Sequence, residues 1–293
     1  MKKESGAAIG TFDGVHLGHR AVLATLQGKC KEMGLCPIAL TFDRHPLALI
    51  DPVRTPPEIT SLPKKKKLIS QCGVEPVVLE FNEDLRQTNA AEWMKKIKEE
   101  LGVRLLVIGY DNTFGSDGVN MSVADYKRLG KEIGIEVIDV AEIKDISSSA
   151  IRKAIKSGDL DRAEKMLGRK FSFSGTVVNG NRIGRTLGFP TANLAVGDSV
   201  AVPARGTYAA VATLPDGKEY KSMVNIGTRP TLRRGDDQVI EAHLLDYQGD
   251  LYGKKISLRF LKRLRDEIKF DTIDALRRQI ALDREMVEKT DQG

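Results

Sequence analysis

Cysteine is scarce: three residues in a chain of 293. The count is odd, and Cys30, Cys36 and Cys72 form no C-x-x-C, which argues against a disulfide framework or a thiolate zinc site. Cys30 falls on the apolar side of a helical pattern and reads as a small core residue. Aromatic residues are thin as well, at 5 %. With no stripe of alternating basic and aromatic residues, nucleic acid is not expected as a partner. No stretch approaches about 18 apolar residues, so no membrane span is expected. Two lysines open the chain, but polar residues follow where a signal peptide is apolar, and a reducing cytoplasm is the expected location. The excess of positive charge is small, 46 Lys and Arg against 40 Asp and Glu. Residues 64–67 are four lysines in a row. So short a run reads as a solvated helix start. The Walker pattern Gly-x-x-x-x-Gly-Lys-Ser/Thr is missing, and no internal repeat or low-complexity segment is present.

A chain of this length exceeds what one hydrophobic core usually holds, so two domains are expected. Up to about residue 168 the pattern alternates apolar runs with helical ones. Residues 7–9, 37–42, 76–81, 105–110 and 135–140 read as strands. Residues 19–33, 90–101 and 123–133 read as helices, and Asn89 with Glu92 resembles a capping box. That rhythm implies a parallel sheet with helices on its faces, which binds ligands beyond the carboxyl ends of its strands. From 169 onward short alternating runs take over, at 171–178, 208–213, 220–226, 240–245 and 256–261. Asn179-Gly180, Pro215-Asp216-Gly217 and Gln248-Gly249-Asp250 mark turns between them. This reads as an antiparallel barrel or sandwich. Residues 272–287 form a last helix, with Asp271 as its expected cap and Ile273, Leu276, Ile280 and Val287 on its apolar face.

The densest chemistry lies in Gly10-Thr11-Phe12-Asp13-Gly14-Val15-His16-Leu17-Gly18-His19. A strand ends in a glycine-bearing turn and a helix begins just past it. Helix N-termini offer free N–H groups and a positive dipole end to phosphate. Two imidazoles one turn apart can hydrogen-bond a phosphoryl group as its charge grows. Ile146-Ser147-Ser148-Ser149-Ala150-Ile151-Arg152 opens a second helix. Its hydroxyls serve as a cap, or form a phosphate cradle with Arg152. Asp111, after a strand end, either closes a turn or contacts a nucleotide.

In the second half, Gly184, Gly188, Thr191 and Asn193 crowd into one loop, within Gly-Phe-Pro-Thr-Ala-Asn at 188–193. A hydroxyl and an amide oxygen are hard ligands that suit Mg²⁺. Alternation in a strand places Glu241 and His243 on one face and Ile240 and Ala242 on the other. Glu241 acts as a base there or simply meets solvent.

His-x-Gly-His at 16–19 and the Ser-rich segment at 146–152 resemble the signatures of the nucleotidylyltransferase superfamily. Gly-Phe-Pro-Thr-Ala-Asn resembles the riboflavin kinases. Together with Phe42-Asp43-Arg44-His45-Pro46, 109–115, 206–208, 225–227, 230–231, 241–246, 250–253 and 264–270, they make the whole chain resemble the bacterial bifunctional riboflavin kinase/FAD synthetases. Arg44 and Asn112 depart from that family's usual residues.

The resemblance implies a Rossmann-like α/β nucleotidylyltransferase domain at 1–168 and an antiparallel β-barrel riboflavin kinase domain with a C-terminal helix at 169–293. It implies that riboflavin is phosphorylated by ATP to FMN, and FMN adenylylated by a second ATP to FAD with release of pyrophosphate. Glu241 would be the kinase base, and Thr191 and Asn193 would hold Mg²⁺ and the ATP phosphates with Gly184. His16 and His19 would stabilise charge in adenylylation. Gly10, Phe12, Asp13, Asp111, Ser148, Ser149 and Arg152 would bind the nucleotide. The substrates are small molecules, and the oligomeric state is not implied. The competing readings are a chain active as a kinase only and a non-catalytic flavin-binding protein. The intact histidine pair and Glu241 speak against the latter.

Overall fold

The computed structural model describes residues 3–110, 112–180, 189–197, 199–228 and 238–291. The chain forms two compact units, one of Met1–Pro56 with Thr60–Ser148, the other of Pro57–Ile59 with Ser149–Gly293.

In the first unit the order is β1 (Ser5–Ile9), α1 (Leu17–Met33), β2 (Cys36–Phe42), α2 (Leu47–Ile50), α3 (Leu62–Gln71), β3 (Glu75–Leu79), α4 (Glu83–Gln87), α5 (Ala90–Leu101), β4 (Val103–Gly109), α6 (Val123–Ile133) and β5 (Glu136–Val140). The five strands pair in parallel in the order β3-β2-β1-β4-β5. The chain winds outward from β1 through β2 and β3, then returns to lay β4 on β1's other side. That reversal opens a crevice at the carboxyl ends of β1 and β4.

Alternate side chains feed two cores. Ala7, Ile9, Leu106 and Ile108 pack with Trp93, Met94 and Tyr126 of α5 and α6. Ala8, Leu105 and Val107 pack with Leu23, Leu26 and Ile69 of α1 and α3. Each buried Leu, Ile or Met contributes about 1.5–3 kcal/mol. Cys30 is fully buried, as expected, and a Cβ on Gly6 would overlap its Sγ, so the glycine lets α1 sit close to β1.

The second unit holds α7 (Ser148–Ser157, whose first residue belongs to the first unit), α8 (Leu160–Leu167), β6 (Ser172–Val178), β7 (Ala192–Ala195), β8 (Gly206–Thr213), β9 (Glu219–Thr228), β10 (Gln238–Leu244), β11 (Lys255–Arg265) and α9 (Ile273–Lys289). The strands close into an antiparallel barrel in the order β10-β7-β6-β11-β8-β9. Phe173, Tyr208 and Phe260 pack together within it, with ring centroids 5.3 and 5.5 Å from Phe260. On the outer face Ala209, Val211, Met223 and Leu261 meet Val287 of α9.

Three details differ from the sequence expectation. Thr272, not Asp271, caps α9, its Oγ1 accepting the Ala275 N–H at 3.2 Å. Ile273 leaves the apolar face and is 64 % exposed, because the helix has only begun there. Strand β7 goes unrecognised in the sequence: its four residues start inside the Pro-Thr-Ala-Asn phrase, and its alternation is too short to read.

Candidate active sites

The loop after β1 is held in a conformation its residues resist. Phe12 and Val15 carry φ of 47° and 38°, with Gly14 between them at 84°. A β-branched residue at positive φ is strained, and such strain persists only where surroundings enforce it. The Ile9 carbonyl accepts from Asn112 Nδ2. The Thr11 carbonyl accepts from Thr41 Oγ1 at 3.1 Å and Lys65 Nζ at 3.0 Å. The Asp13 carbonyl accepts from Ser148 Oγ at 2.9 Å, while the Asp13 carboxylate accepts the Thr60 N–H at 3.0 Å.

His16 then caps α1 rather than lying within it, its Nδ1 accepting the His19 N–H at 3.3 Å. The two imidazoles stack, ring centroids 3.6 Å apart and 17° between planes, and Phe12 meets His19 edge-on at 5.3 Å. Capping closes the gap between residues that a helix would leave a full turn apart. The loop lies at the carboxyl end of β1, in the crevice the topology defines. Beside it, burial pushes the Asp43 carboxyl up, but hydrogen bonds from the Phe81 N–H and Arg44 outweigh that and hold it below the usual carboxylate range. Asp43 thereby ties the ends of β2 and β3.

The structure brings His16, His19, Gly10, Phe12, Asp13 and Ser148 into one loop assembly. Ser149 and Arg152 belong to the other compact unit, where Arg152 Nε donates to the Pro57 carbonyl at 2.8 Å. Asp111 lies outside the described residues. The expectation that the run at 64–67 is solvated is corrected at one position. Lys66 and Lys67 are exposed, but Lys65 is buried with its ammonium against the Thr11 and Phe42 carbonyls. Helical rotation turns one lysine of the four inward, and composition cannot tell which.

The barrel builds the second site. Asn193 of β7 pairs directly with Glu241 of β10, Glu241 with Asn225 of β9, and Asn225 with Thr207 of β8. Directly opposed residues share a face, so these four form one polar row across four strands. Glu241 is half-buried, while its neighbours Ile240 and Ala242 face the barrel core. Asn193 is buried, and its Oδ1 has no hydrogen-bond partner among the described residues. A Cβ on Gly180 would overlap the Asn193 amide, so glycine lets the backbone pass there with that amide in place.

Asn193, Thr191 and Gly180 line a cavity of about 800 Å³, together with Tyr247, Asp250 and Tyr252. Glu241 is not part of that lining. His243, buried one face-repeat from Glu241, has its Nδ1 2.8 Å from the Pro190 carbonyl and its ring edge-on to Phe189. It anchors the segment that carries Thr191. Gly184 lies outside the described residues. Asn225 and Thr207 went unremarked as site residues because their positions acquire meaning only through the register of distant strands.

Two sites of this kind define a chain that handles nucleotide phosphate twice. Family comparison agrees: residues 1–153 match the FAD synthetase model, and residues 167–290 match the riboflavin kinase model. The bifunctional riboflavin kinase/FMN adenylyltransferase of Bacillus subtilis (strain 168) is 35 % identical over 96 % of this chain and 91 % of its own length. The protein of that name from Escherichia coli (strain K12) is 36 % identical over 94 % and 89 %. A crystal structure described as a macrolide-efflux protein from Streptococcus pneumoniae is similar with a TM-score of 0.89 at 29 % identity, covering 99 % of this chain and 98 % of that one. The chain belongs to the bifunctional riboflavin kinase/FMN adenylyltransferase family. It is an enzyme of flavin-nucleotide synthesis that uses ATP to phosphorylate riboflavin and then to adenylylate FMN.

Proposed function

We propose that the two reactions divide between residues 1–168, which adenylylate FMN, and 169–293, which phosphorylate riboflavin. In the barrel, Glu241 takes the proton of the riboflavin 5′-hydroxyl. The oxygen then attacks the γ-phosphorus of ATP, the bond to the β-phosphate oxygen breaks, and ADP leaves. Thr191 and the Asn193 amide oxygen fit Mg²⁺: both are hard oxygen donors, and the buried Oδ1 has no hydrogen-bond partner among the described residues to compete for it. When bound there, Mg²⁺ supplies charge neutralisation of the ATP phosphates. Gly180 keeps the backbone clear of the Asn193 amide.

In the α/β domain a phosphate oxygen of FMN attacks the α-phosphorus of ATP and pyrophosphate leaves. His16 and His19 hydrogen-bond the charge that develops during that step. Gly10, Phe12 and Asp13 shape the nucleotide contact, with Ser148, Ser149 and Arg152 toward the triphosphate. Asp111 and Gly184 complete the nucleotide contacts in the two domains.

The observation that carries the reading is that each half assembles separated polar residues into one cluster: the stacked histidines in one, the Asn193–Glu241 cross-strand pair in the other. The reactions run in the cytoplasm and need no nucleic acid or membrane. Among the described residues no helix is long and apolar enough to cross a membrane, and no observation favours efflux as a second reading.

Chromatography of products from riboflavin, ATP and Mg²⁺ tests it. FMN appears first and FAD follows. Glu241→Ala abolishes FMN formation from riboflavin while sparing FAD formation from supplied FMN. His19→Ala does the reverse, with a loss on the order of 10²–10³. Joint loss of both activities in either folded variant contradicts the division.

A further inference from the structure

The lysine run at 64–67 is absorbed by neither reaction, yet Lys65 is buried at 9 % exposure. Lysine is rarely buried so far without partners. Its Nζ donates to the Thr11 carbonyl at 3.0 Å and to the Phe42 carbonyl at 3.3 Å. Those carbonyls stand at the carboxyl ends of two adjacent parallel strands, on the segments leading into the histidine loop and into 43–46. The same carbonyl of Thr11 also receives the hydroxyl of Thr41, itself fully buried. One residue later the chain enters positive φ at Phe12, and it returns there at Gly14 and Val15. The Asp13 carboxylate fastens that stretch to Thr60, just before α3. Lys65 of α3 and Thr60 just before it thus hold the loop at Thr11 and Asp13, on either side of the strained Phe12. His16 and His19 stack only if the loop leaves them in that register.

We propose that Lys65 is a positioning residue for FMN adenylylation: its ammonium pins the loop after β1 in the strained conformation that stacks the two imidazoles. This rests on the assignment of His16 and His19 to that reaction. An alternative role, direct binding of ATP phosphate, predicts a different kinetic signature. Positioning groups that act in the transition state lowers kcat when lost and leaves KM nearly unchanged, whereas losing a phosphate ligand raises KM.

The test uses the full chain with Lys65→Met, Lys65→Gln and His19→Ala, each assayed for both activities in one preparation. Riboflavin phosphorylation reports the fraction of active protein, because the kinase residues lie in the other unit. For both lysine variants, kcat for FAD formation from FMN and ATP falls about a hundredfold relative to the kinase rate. KM for ATP stays within about twofold. The imidazole ¹⁵N and ring ¹H resonances of His16 and His19 move apart from their wild-type positions as the stack opens. Unchanged kcat in either variant overturns the proposal, as does a raised KM with kcat retained. If Lys65→Met does not fold, Lys65→Gln and the imidazole spectra decide alone. If His19→Ala leaves FAD formation intact, the histidine assignment has failed. Loss in His19→Ala with none in the lysine variants defeats the Lys65 proposal by itself.

Discussion

At the scale of single residues, both sites depend on where small groups let larger ones stand. Gly180 is the clearest case, since its Cα faces the Asn193 amide with no room for a methyl. Its backbone is not in the left-handed region, so a substitution there tests space rather than conformation. Gly180→Ala forces the Asn193 side chain aside, an overpacking that costs about 1–3 kcal/mol. Spent on phosphate binding, that is about 5- to 150-fold in affinity. KM for ATP in FMN formation should therefore rise by about that factor, while FAD formation from supplied FMN stays within about twofold of wild type. Steady-state kinetics on the two reactions separately checks it. Residues of this kind were unevenly legible in the sequence. His16, His19, Thr191 and Asn193 stand in motifs whose residue types suggest phosphate or metal chemistry, whereas Glu241, in a plain alternating strand, is singled out only by the family resemblance. Lys65 and His243 are not legible there, because a lysine in a run of lysines and a histidine in a strand gain their roles from the carbonyls they meet, at Thr11 and Pro190.

At the scale of elements, periodicity identified most of the regular structure. Helices α5 and α6 match their expected bounds, and β1, β2, β4 and β5 differ by a few residues at their ends. Periodicity did not reveal helix α8, although its buried residues Leu160, Ala163, Met166 and Leu167 are helically spaced: it is about two turns long and ends at 167, against the change of character near 168.

Helix α9 offers the test at this scale. Its Asp283 is fully buried and accepts from Arg265 at 2.6 to 3.0 Å through both carboxylate oxygens, with Gln279 adding a bond at 2.9 Å. Removing one partner of a buried pair strands the other charge, at about 3–5 kcal/mol. Asp283→Ala should lower the melting temperature of the barrel transition by about 10 °C, given roughly 2–4 °C per kcal/mol for units of this size. Hydrogen exchange should show the loss concentrated in α9 and the end of β11. A melting temperature within about 2 °C of wild type would show that the pair contributes little.

At the scale of the whole molecule, chemistry and compactness draw different lines. The family models end at 153 and resume at 167, and the expected functional boundary lies at 168. The compact units instead part at Ser148 and Ser149, with Pro57–Ile59 joining the second through a bridge from Glu58 to Val200. The difference is α7 and α8. Helix α8 packs against β11, and Lys170 joins it to the barrel by an ion pair with Glu164 at 2.5 Å. A helix that buries two leucines and a methionine contributes several kcal/mol at about 1.5–3 kcal/mol each. The polar row and the cavity, by contrast, lie entirely between 177 and 252.

Two fragments separate these statements. Residues 149–293 and 169–293 both contain every residue proposed for phosphorylation and both lack Pro57–Ile59, so they differ only in α7 and α8. The longer should melt about 10 °C above the shorter in a calorimetric scan. At a temperature where both are folded, their rates of FMN formation should agree within about twofold, since none of the row or cavity residues differs. Equal melting would mean that the two helices add nothing to the stability of the barrel. Equal stability with unequal rates would instead give α7 or α8 a part in the phosphorylation itself, which nothing in the barrel's register requires.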